Sequence, residues 1–297
     1  MPLPTATRVP VLIVHGGAGA DPGDREELRN GMRAAVLAGW SLLASGGSAV
    51  DAVEAAVVAL EDHPRFNAGR GSVLTTEGTV EMDASIMEGA RLDCGAVAAV
   101  SRVANPVRLA RRVLQDARHV LLVGAGAHAF ARTIGLPECD PVSLVTERQR
   151  RRHGERARQA AGTAGTVGAV ALDRHGTVAA ATSTGGVVGK LPGRVGDSAL
   201  IGCGTYADNT LGGVSCTGDG EAIIRVVLAR RALEFLKEAD DPEYAARVAV
   251  DLLVEEGRGG GGLVILDWRG RPGFAHSTPL MPVAWMSAGL TQPHVPF

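Results

Sequence analysis

Two apolar segments joined by a short polar turn constrain the fold of this 297-residue chain more than any other feature. Residues 166–183 read TVGAVALDRHGTVAAATS, with the polar triplet Arg174-His175-Gly176 at the centre. Two β-rich runs separated by so short a turn predict an antiparallel hairpin. Elsewhere, helical segments follow one another in pairs, and regular β-α-β alternation is absent. The order argues against a doubly wound parallel sheet and favours an α+β layered sandwich.

Apolar periodicity and capping residues predict the helices. Ser48 precedes a segment with apolar residues at helical spacing over 49–63, and Asn105-Pro106 begins another helix with Asn105 as its cap. The segment EAIIRVVLARRALEFLKEAD, residues 221–240, predicts one continuous amphipathic helix. Residues 10–14, PVLIV, predict a buried strand that ends in a glycine turn.

Composition gives no sign of a nucleic-acid or membrane partner. The net charge is −2, and 45% of the residues are hydrophobic while 21% are charged, as is usual for soluble globular domains. Aromatic residues are only 3%, so the core must be built from Ala, Val, Leu and Ile. The N-terminal apolar run is too short for a signal peptide or a membrane span, and the four cysteines form no C-x-x-C pair. We therefore expect a cytoplasmic protein.

The composition of the chain changes over residues 146–165, which contain no large apolar side chain. Their sequence is TERQRRRHGERARQAAGTAG. The segment is either a solvated helix with a frayed tail or a linker. No aromatic residues interleave with its arginines, which argues against a nucleic-acid patch. It ends at Gly165, directly before the apolar strand that begins at Thr166.

The position of Thr166 suggests a specific chemistry. A threonine hydroxyl is a weak nucleophile, but it is activated when the residue's own α-amine is free to act as the base. Such an amine has a pKa of about 7.7–8.0, so a useful fraction is neutral near pH 7. Thr166 would acquire a free amine only if the chain were cut before it. The preceding segment, about 148–165, would then be a sacrificial tether.

Two further patches suit an amino-acid substrate. Arg194 and Asp197 lie three residues apart in a glycine-bounded turn, and they offer a guanidinium for a carboxylate and a carboxylate for an ammonium group. The segment Thr217–Gly220, TGDG, offers consecutive backbone N–H groups to an anion or oxyanion.

A dinucleotide-binding turn is the competing motif. Gly124-x-Gly126-x-x-Ala129 follows a predicted strand. Glu147 lies downstream at about the spacing of the acidic residue that contacts the ribose in dinucleotide-binding folds. The helix that follows is stopped early by Gly135, and no parallel strand comes promptly after it. An ordinary strand-to-helix turn is the better interpretation. The sequence contains no phosphate loop, H-E-x-x-H or G-x-S-x-G motif.

Taken in order, several motifs spread over nearly the whole chain resemble the plant-type L-asparaginase and isoaspartyl peptidase family of N-terminal nucleophile hydrolases. The motifs are HGGAG (15–19), LEDHPRFNAGRGS (60–72), EMDASIM (81–87), NPVRLARRV (105–113), GTVGAVALD (165–173), TSTGG (182–186), PGRVGDS (192–198) and SCTGDGE (215–221).

The resemblance implies a role for each matching residue. Thr166 matches the nucleophile released by self-cleavage after Gly165, Thr184 matches the second threonine that tunes it, and Asn67 matches a residue near the nucleophile. Thr217 and Gly218 match the oxyanion-stabilising positions. The implied substrate-binding residues are Arg194, Val195, Gly196, Asp197 and Gly220.

The resemblance also implies an architecture: a four-layer αββα sandwich, a single domain cut into an α subunit (1–165) and a β subunit (166–297), and a homodimer of αβ units. It implies a structural sodium ion, with potassium as the alternative, and no cofactor for the chemistry. The ion would be bound in the loop 60–70, by the backbone carbonyls of Leu60, Glu61, His63, Phe66, Ala68 and Arg70.

The expected activity is hydrolysis of L-asparagine, β-aspartyl (isoaspartyl) dipeptides or both, with release of L-aspartate. Two alternatives remain open at this point. One is a glycosylasparaginase-type hydrolase, and the other is an uncleaved, non-catalytic relative that binds amino acids.

Overall fold

A computed structural model of the protein describes residues 8–297 apart from residues 22, 24 and 157–164. Within these residues, the strands are β1 Val11–His15, β2 Met82–Glu88, β3 Cys94–Val100, β4 Leu121–Val123, β5 Val167–Leu172, β6 Val178–Thr184, β7 Thr205–Asp208, β8 Gly212–Gly218, β9 Gly261–Asp267, β10 Pro272–His276 and β11 Val283–Ser287. The α-helices are α1 Arg25–Ala44, α2 Ala49–Asp62, α3 Pro106–Asp116, α4 Gly124–Thr133, α5 Glu147–Arg156, α6 Gly220–Val226, α7 Leu228–Ala239 and α8 Pro242–Glu255.

The strands form two sheets. The larger has seven strands in the order β11-β1-β5-β6-β2-β3-β4, and the smaller has four in the order β10-β9-β8-β7. Neighbouring strands are antiparallel except β3 and β4, which are parallel and flank α3. The predicted hairpin is confirmed: β5 and β6 pair antiparallel, with Val170 opposite Ala180. The protein therefore has a mixed α/β fold with largely antiparallel sheets.

Each sheet has helices of its own. Helices α1, α2 and α3 pack against the larger sheet, and α7 and α8 pack against the smaller one. A separate apolar cluster joins the two sheets, with Val170 and Val178 contributed by the larger sheet and Val264 by the smaller. The sheets approach closely, since a Cβ at Gly213 would lie 2.7 Å from Cγ1 of Val170. Glycine at position 213 makes this approach possible, because a side chain there would overlap Val170 and Val178.

The start of α3 differs in detail from the prediction. Pro106 occupies the first turn as expected, but the Asn105 side chain does not cap the helix and instead donates to Asp62 at 2.9 Å. The buried Glu61 carboxyl of α2 accepts from the Val107 N–H at 3.0 Å. Glu61 also accepts from the Ser183 hydroxyl of β6, so one side chain joins α2, α3 and the larger sheet.

The continuous helix predicted over 221–240 is wrong. The chain forms two helices, α6 and α7, with Val227 between them in the left-handed conformation at φ 53°. The first N–H groups of α7 bond outside the helix, because Ala229 donates to the Cys203 carbonyl and Arg230 to the Gly202 carbonyl. Partners more than twenty residues away therefore replace the helical bonds that would have continued α6.

The arginine-rich segment begins as a helix rather than as a linker. Helix α5 covers Glu147–Arg156, and residues 157–164 of the predicted tether lie outside the described part of the chain. Gln149 of α5 is buried, and its amide donates to the Gly71 carbonyl at 2.6 Å. The helix is therefore docked on the body of the protein. Among the described helices, none combines the length and apolar character that spanning a bilayer requires.

Candidate active site

Thr166 lies where the chain enters β5, and its side chain is buried. The pairing of Val167 with Ser183 puts Thr166 beside Thr184, the last residue of β6. The Thr166 hydroxyl donates to the Thr184 hydroxyl at 3.2 Å. The hairpin therefore brings together the two threonines singled out in the sequence.

The carbonyl of Gly165 accepts two side-chain hydrogen bonds. Nδ2 of Asn67 lies 2.7 Å from this oxygen, and the Thr184 hydroxyl donates to it at 2.9 Å. Asn67 is itself oriented, because its Oδ1 accepts from the Val73 N–H and its Nδ2 also donates to the Gly186 carbonyl. Two fixed donors thus polarise the carbonyl that precedes Thr166.

The HGGAG turn packs directly on this peptide bond. Gly17 has φ +104°, and a Cβ there would lie 3.1 Å from both the Gly165 Cα and the Thr166 nitrogen. Only glycine suits both the conformation and the close approach. The next residue, Ala18, donates its N–H to the Thr217 hydroxyl at 3.0 Å, so the turn joins Thr166 to the end of β8.

A buried chain of hydroxyl groups begins at His15 and was not found by sequence reasoning. Nε2 of His15 lies 2.8 Å from the Ser215 hydroxyl, which lies 2.7 Å from the Thr182 hydroxyl. The Thr205 hydroxyl donates to Thr182 at 2.5 Å and extends the chain across the two sheets. Burial lowers the pKa of His15 to about 3, so the imidazole is neutral at pH 7. A Cβ at Gly168 would lie 1.9 Å from the Ser215 hydroxyl, which explains the glycine in β5.

Arg194 and Asp197 converge as the sequence indicates. An added Cβ at Gly220 would lie 2.8 Å from Nη2 of Arg194 and 2.9 Å from Oδ1 of Asp197, so the two groups flank the same point. Burial raises the pKa of Asp197 to about 7, and the nearby Arg194 partly offsets this effect. Val195 and Gly196 complete the turn between them, with Val195 half-buried and Gly196 buried.

Sequence reasoning missed two acidic partners of this turn. Glu221, in the first turn of α6, accepts from Nε and Nη2 of Arg194 at 2.8 and 2.7 Å, so a protein carboxylate engages the guanidinium fork. Asp83 of β2 is buried and accepts from the Gly196 N–H at 3.1 Å and from the Ala99 N–H at 2.9 Å. Both residues lie in motifs identified in the sequence, Asp83 in EMDASIM and Glu221 in SCTGDGE. The contact between Asp83 and Gly196 joins residues 113 positions apart, so no local pattern in the sequence predicts it.

Thr217 and Gly218 end β8 and are buried. Gly218 has φ +142°, and a Cβ there would lie 2.4 Å from the Gly260 carbonyl, so no side chain fits. The TGDG segment is less available to an anion than predicted, because the Asp219 N–H donates to the Gly260 carbonyl at 2.8 Å. The Asp219 carboxylate caps α6 by accepting from the Ala222 N–H.

The loop after α2 brings backbone carbonyls together. A Cβ at Gly71 would lie 2.7 Å from both the Pro64 and the Phe66 carbonyl oxygens, so these two atoms converge on one point. The Glu61 carbonyl accepts from the Arg70 N–H at 2.7 Å and retains a second lone pair. Hard cations prefer oxygen ligands of this kind. In the described residues, no group of three or more histidine, cysteine or acidic side chains forms a metal site.

Comparison with known proteins identifies the family. The family model described as asparaginase matches residues 8–294. The chain is 46% identical over 288 residues to an isoaspartyl peptidase/L-asparaginase of Danio rerio, with 94% of this chain and 92% of that protein covered. It is 49% identical over 272 residues to an isoaspartyl peptidase/L-asparaginase of Homo sapiens, with 87% and 88% covered. It is 45% identical over 301 residues to a plant-type L-asparaginase of Pyrococcus abyssi, with 95% and 98% covered.

Similarity of this extent over most of the chain defines the protein as a hydrolase. The chain belongs to the asparaginase family, so the resemblance predicted from the ordered motifs is confirmed.

Proposed function

We propose that the protein is an autoprocessing amidohydrolase that hydrolyses L-asparagine and β-aspartyl dipeptides, releases L-aspartate, and uses Thr166 as its nucleophile. The observation that carries the proposal is the hydrogen-bonded pair Thr166–Thr184 next to a Gly165 carbonyl that accepts two further side-chain donors. The names of the relatives, isoaspartyl peptidase/L-asparaginase, support both substrate classes.

Self-cleavage is the first step of the proposed mechanism. The Thr166 hydroxyl attacks the Gly165 carbonyl carbon, and the resulting oxyanion is stabilised by the Asn67 amide and the Thr184 hydroxyl. The C–N bond breaks, the nitrogen of Thr166 takes up the proton, and an ester remains between Gly165 and the threonine oxygen. Water hydrolyses this ester to give chains 1–165 and 166–297. The hydroxyl relay from Thr166 through Thr184 to the carbonyl oxygen supports this route.

In turnover, the free α-amine of Thr166 takes the proton of its own hydroxyl, which attacks the side-chain amide or isopeptide carbonyl of the substrate. Arg194 binds the substrate's α-carboxylate through the N–H groups that Glu221 does not use. Asp197 binds the α-ammonium group, and Val195, Gly196 and Gly220 shape the pocket. Thr217 and Gly218 stabilise the oxyanion. The protonated amine returns the proton to the leaving nitrogen, and ammonia or an amino acid leaves while an aspartyl ester remains on the Thr166 oxygen. Water then hydrolyses this ester and releases aspartate.

The remaining features expected from the family are also proposals. A four-layer αββα arrangement is supported by the separate helix sets on the two sheets and the apolar cluster between them. A homodimer of αβ units is supported by the exposed apolar residues Val120, Leu121 and Val123 at the edge strand β4. A cytoplasmic location stays a prediction from the sequence.

The residues of the 60–70 loop fit a structural sodium or potassium ion. The Phe66 carbonyl, which converges with that of Pro64 at Gly71, supports such a site. Backbone oxygens would be supplied by Leu60, Glu61, His63, Phe66, Ala68 and Arg70. His63 would contribute through its carbonyl, so its side chain is not required. The ion would fix the loop that carries Asn67, and no cofactor would take part in the chemistry.

Intact mass spectrometry of the purified protein, followed by assays on asparagine and a β-aspartyl dipeptide, tests the proposal. We expect two chains divided between Gly165 and Thr166, and we expect the Thr166→Ala variant to remain whole and inactive. A wild-type chain of unbroken mass without amidase activity would identify a non-catalytic binding relative. Turnover of a glycosylated asparagine in preference to both substrates would instead identify the glycosylasparaginase-type alternative.

A further inference from the structure

A cavity of about 100 Å³ adjoins the Gly165–Thr166 bond. Its lining includes Gly17, Asn67 and Gly165, and it includes neither Arg194 nor Asp197. The cavity therefore lies next to the proposed nucleophile but is distinct from the end of the site that suits the substrate's amino-acid head group. After self-cleavage, it would adjoin whatever part of a substrate lies beyond the scissile bond.

Three arginines line this cavity: Arg65 from the loop after α2, and Arg148 and Arg152 from α5. Arg148 is held in place, because its Nη1 donates to the Arg65 carbonyl at 2.6 Å. Arg65 pairs with Glu27 at 2.9 Å. The carboxylates of Glu27 and Glu155 act on this group of arginines, and three guanidinium groups still exceed these two carboxylates, so the cavity has a net positive charge.

The electrostatics of Arg148 agree with this crowding. Burial lowers the pKa of Arg148 to about 10, with Arg65 and Arg152 adding to the effect. The side chain is still cationic at pH 7, and a bound anion would relieve the repulsion among the three groups.

Contacts with the first half of the chain hold α5 against this cavity. Gln149 is buried and donates to the Gly71 carbonyl, and His153 Nε2 lies 2.9 Å from the Thr75 carbonyl. Just before α5, the Leu144 carbonyl accepts from the Gly71 N–H at 3.1 Å. None of these contacts uses the Gly165–Thr166 bond. Arg148 and Arg152 would therefore remain at the cavity after self-cleavage.

We propose that Arg65, Arg148 and Arg152 form a subsite for the free α-carboxylate of the leaving residue in a β-aspartyl dipeptide. The inference rests on the proposed function, which orients the substrate with its aspartyl head group at Arg194 and Asp197 and its scissile carbonyl at Thr166. The leaving residue then lies on the far side of Thr166. Its carboxylate carbon is only two bonds from the leaving nitrogen, whereas asparagine releases ammonia and has no such group.

The wild-type enzyme provides the first test. Kinetics are measured on β-aspartyl-leucine, on the same dipeptide with a C-terminal amide, and on asparagine. We expect kcat/KM to be about tenfold higher for the acid than for the amide, as one charge-assisted contact predicts. This preference should decrease at high ionic strength, since the subsite is open to screening. Equal kcat/KM values for acid and amide would overturn the subsite.

Variants on α5 provide the second test, after mass spectrometry has verified that each is cleaved. Arg148→Gln and Arg152→Gln should each raise KM for the acid about fivefold, while KM for the amide and for asparagine stays unchanged. Arg150→Gln is the matched control, because Arg150 is exposed on the same helix, does not line the cavity and should have no effect. If KM rises by the same factor for the acid and for the amide, the arginines have a structural role, and the subsite is overturned.

Failure of the two proposals can be distinguished. A wild-type enzyme that hydrolyses neither dipeptide nor asparagine would overturn the proposed function, and the subsite with it. An enzyme that hydrolyses all three substrates without preferring the acid would overturn the subsite alone. The wild-type acid-to-amide ratio and its salt dependence remain decisive if an α5 variant fails to fold or to cleave.

Discussion

The side-chain amide of Asn67 lies 2.7 Å from the carbonyl oxygen of Gly165, although the two residues are 98 positions apart. The Thr184 hydroxyl approaches the same oxygen at 2.9 Å from β6. The carbonyl before the proposed nucleophile is thus already surrounded by donors in the uncut chain. Such preorganised donors are the arrangement that stabilises an oxyanion without further reorganisation.

Removing the Asn67 donor should slow self-cleavage. We expect Asn67→Ala to reduce the cleavage rate by about 10²–10³, the usual cost of one oxyanion donor. A time course of chain separation on a denaturing gel measures the effect. Asn30→Ala, at an exposed position of α1, is the control and should cleave at the wild-type rate. Cleavage of Asn67→Ala at that same rate would remove Asn67 from the mechanism.

The hydroxyl of Thr184 should matter more than its methyl group. Thr184→Ser keeps the donor to Gly165 and the acceptor for Thr166, so we expect cleavage within about tenfold of wild type. Thr184→Val keeps the shape and removes both hydrogen bonds, and should slow cleavage by at least about 10². Intact mass measured over time distinguishes the two variants. Similar rates for serine and valine would show that the site needs only the volume of the side chain.

Asparagine binding should weaken as the pH falls below about 7. The pKa of Asp197 is raised to about 7 by burial, and only the ionised carboxylate can pair with the substrate's ammonium group. Below that pH, KM should rise by up to tenfold per unit, because the protonated fraction of free enzyme no longer binds. The Thr166 amine, by contrast, should mainly affect kcat. A KM that is constant from pH 5 to 8 would contradict this assignment.

Acid should destabilise the fold through His15. Its pKa is lowered from 6.5 to about 3 by burial, so between these values the unfolded state binds a proton that the folded state does not. Stability is therefore lost as the pH drops from about 6.5 towards 3, by up to about 1.4 kcal/mol per unit. Urea unfolding of the Thr166→Ala precursor at several pH values measures the slope.

In the same precursor, His15→Gln should reduce the slope of unfolding free energy against pH by the contribution of one proton, up to about 1.4 kcal/mol per pH unit. His119→Gln, at an exposed position, serves as the control and should leave the slope unchanged. If both variants keep the wild-type slope, His15 is not the group that couples acid to unfolding.

Local features were the ones that sequence reasoning could predict. The β5–β6 hairpin depends on a short turn between two apolar runs, and it brings Thr184 to Thr166. Arg194 and Asp197 converge because they lie only three positions apart in one turn. In contrast, the break at Val227 depends on carbonyls at residues 202 and 203, and the His15–Ser215 bond joins residues 200 positions apart. Such long-range partners leave no periodicity or spacing in the sequence.

The order of strands in the larger sheet determines what scission at Gly165 can do to the molecule. Strand β1 belongs to the polypeptide before the cut. In the sheet it lies between β11 and β5, which both belong to the polypeptide after the cut. Its backbone pairs with both neighbours along its whole length. The two polypeptides would be interlocked, so dilution alone could not part them, and separating them would require dismantling the sheet itself.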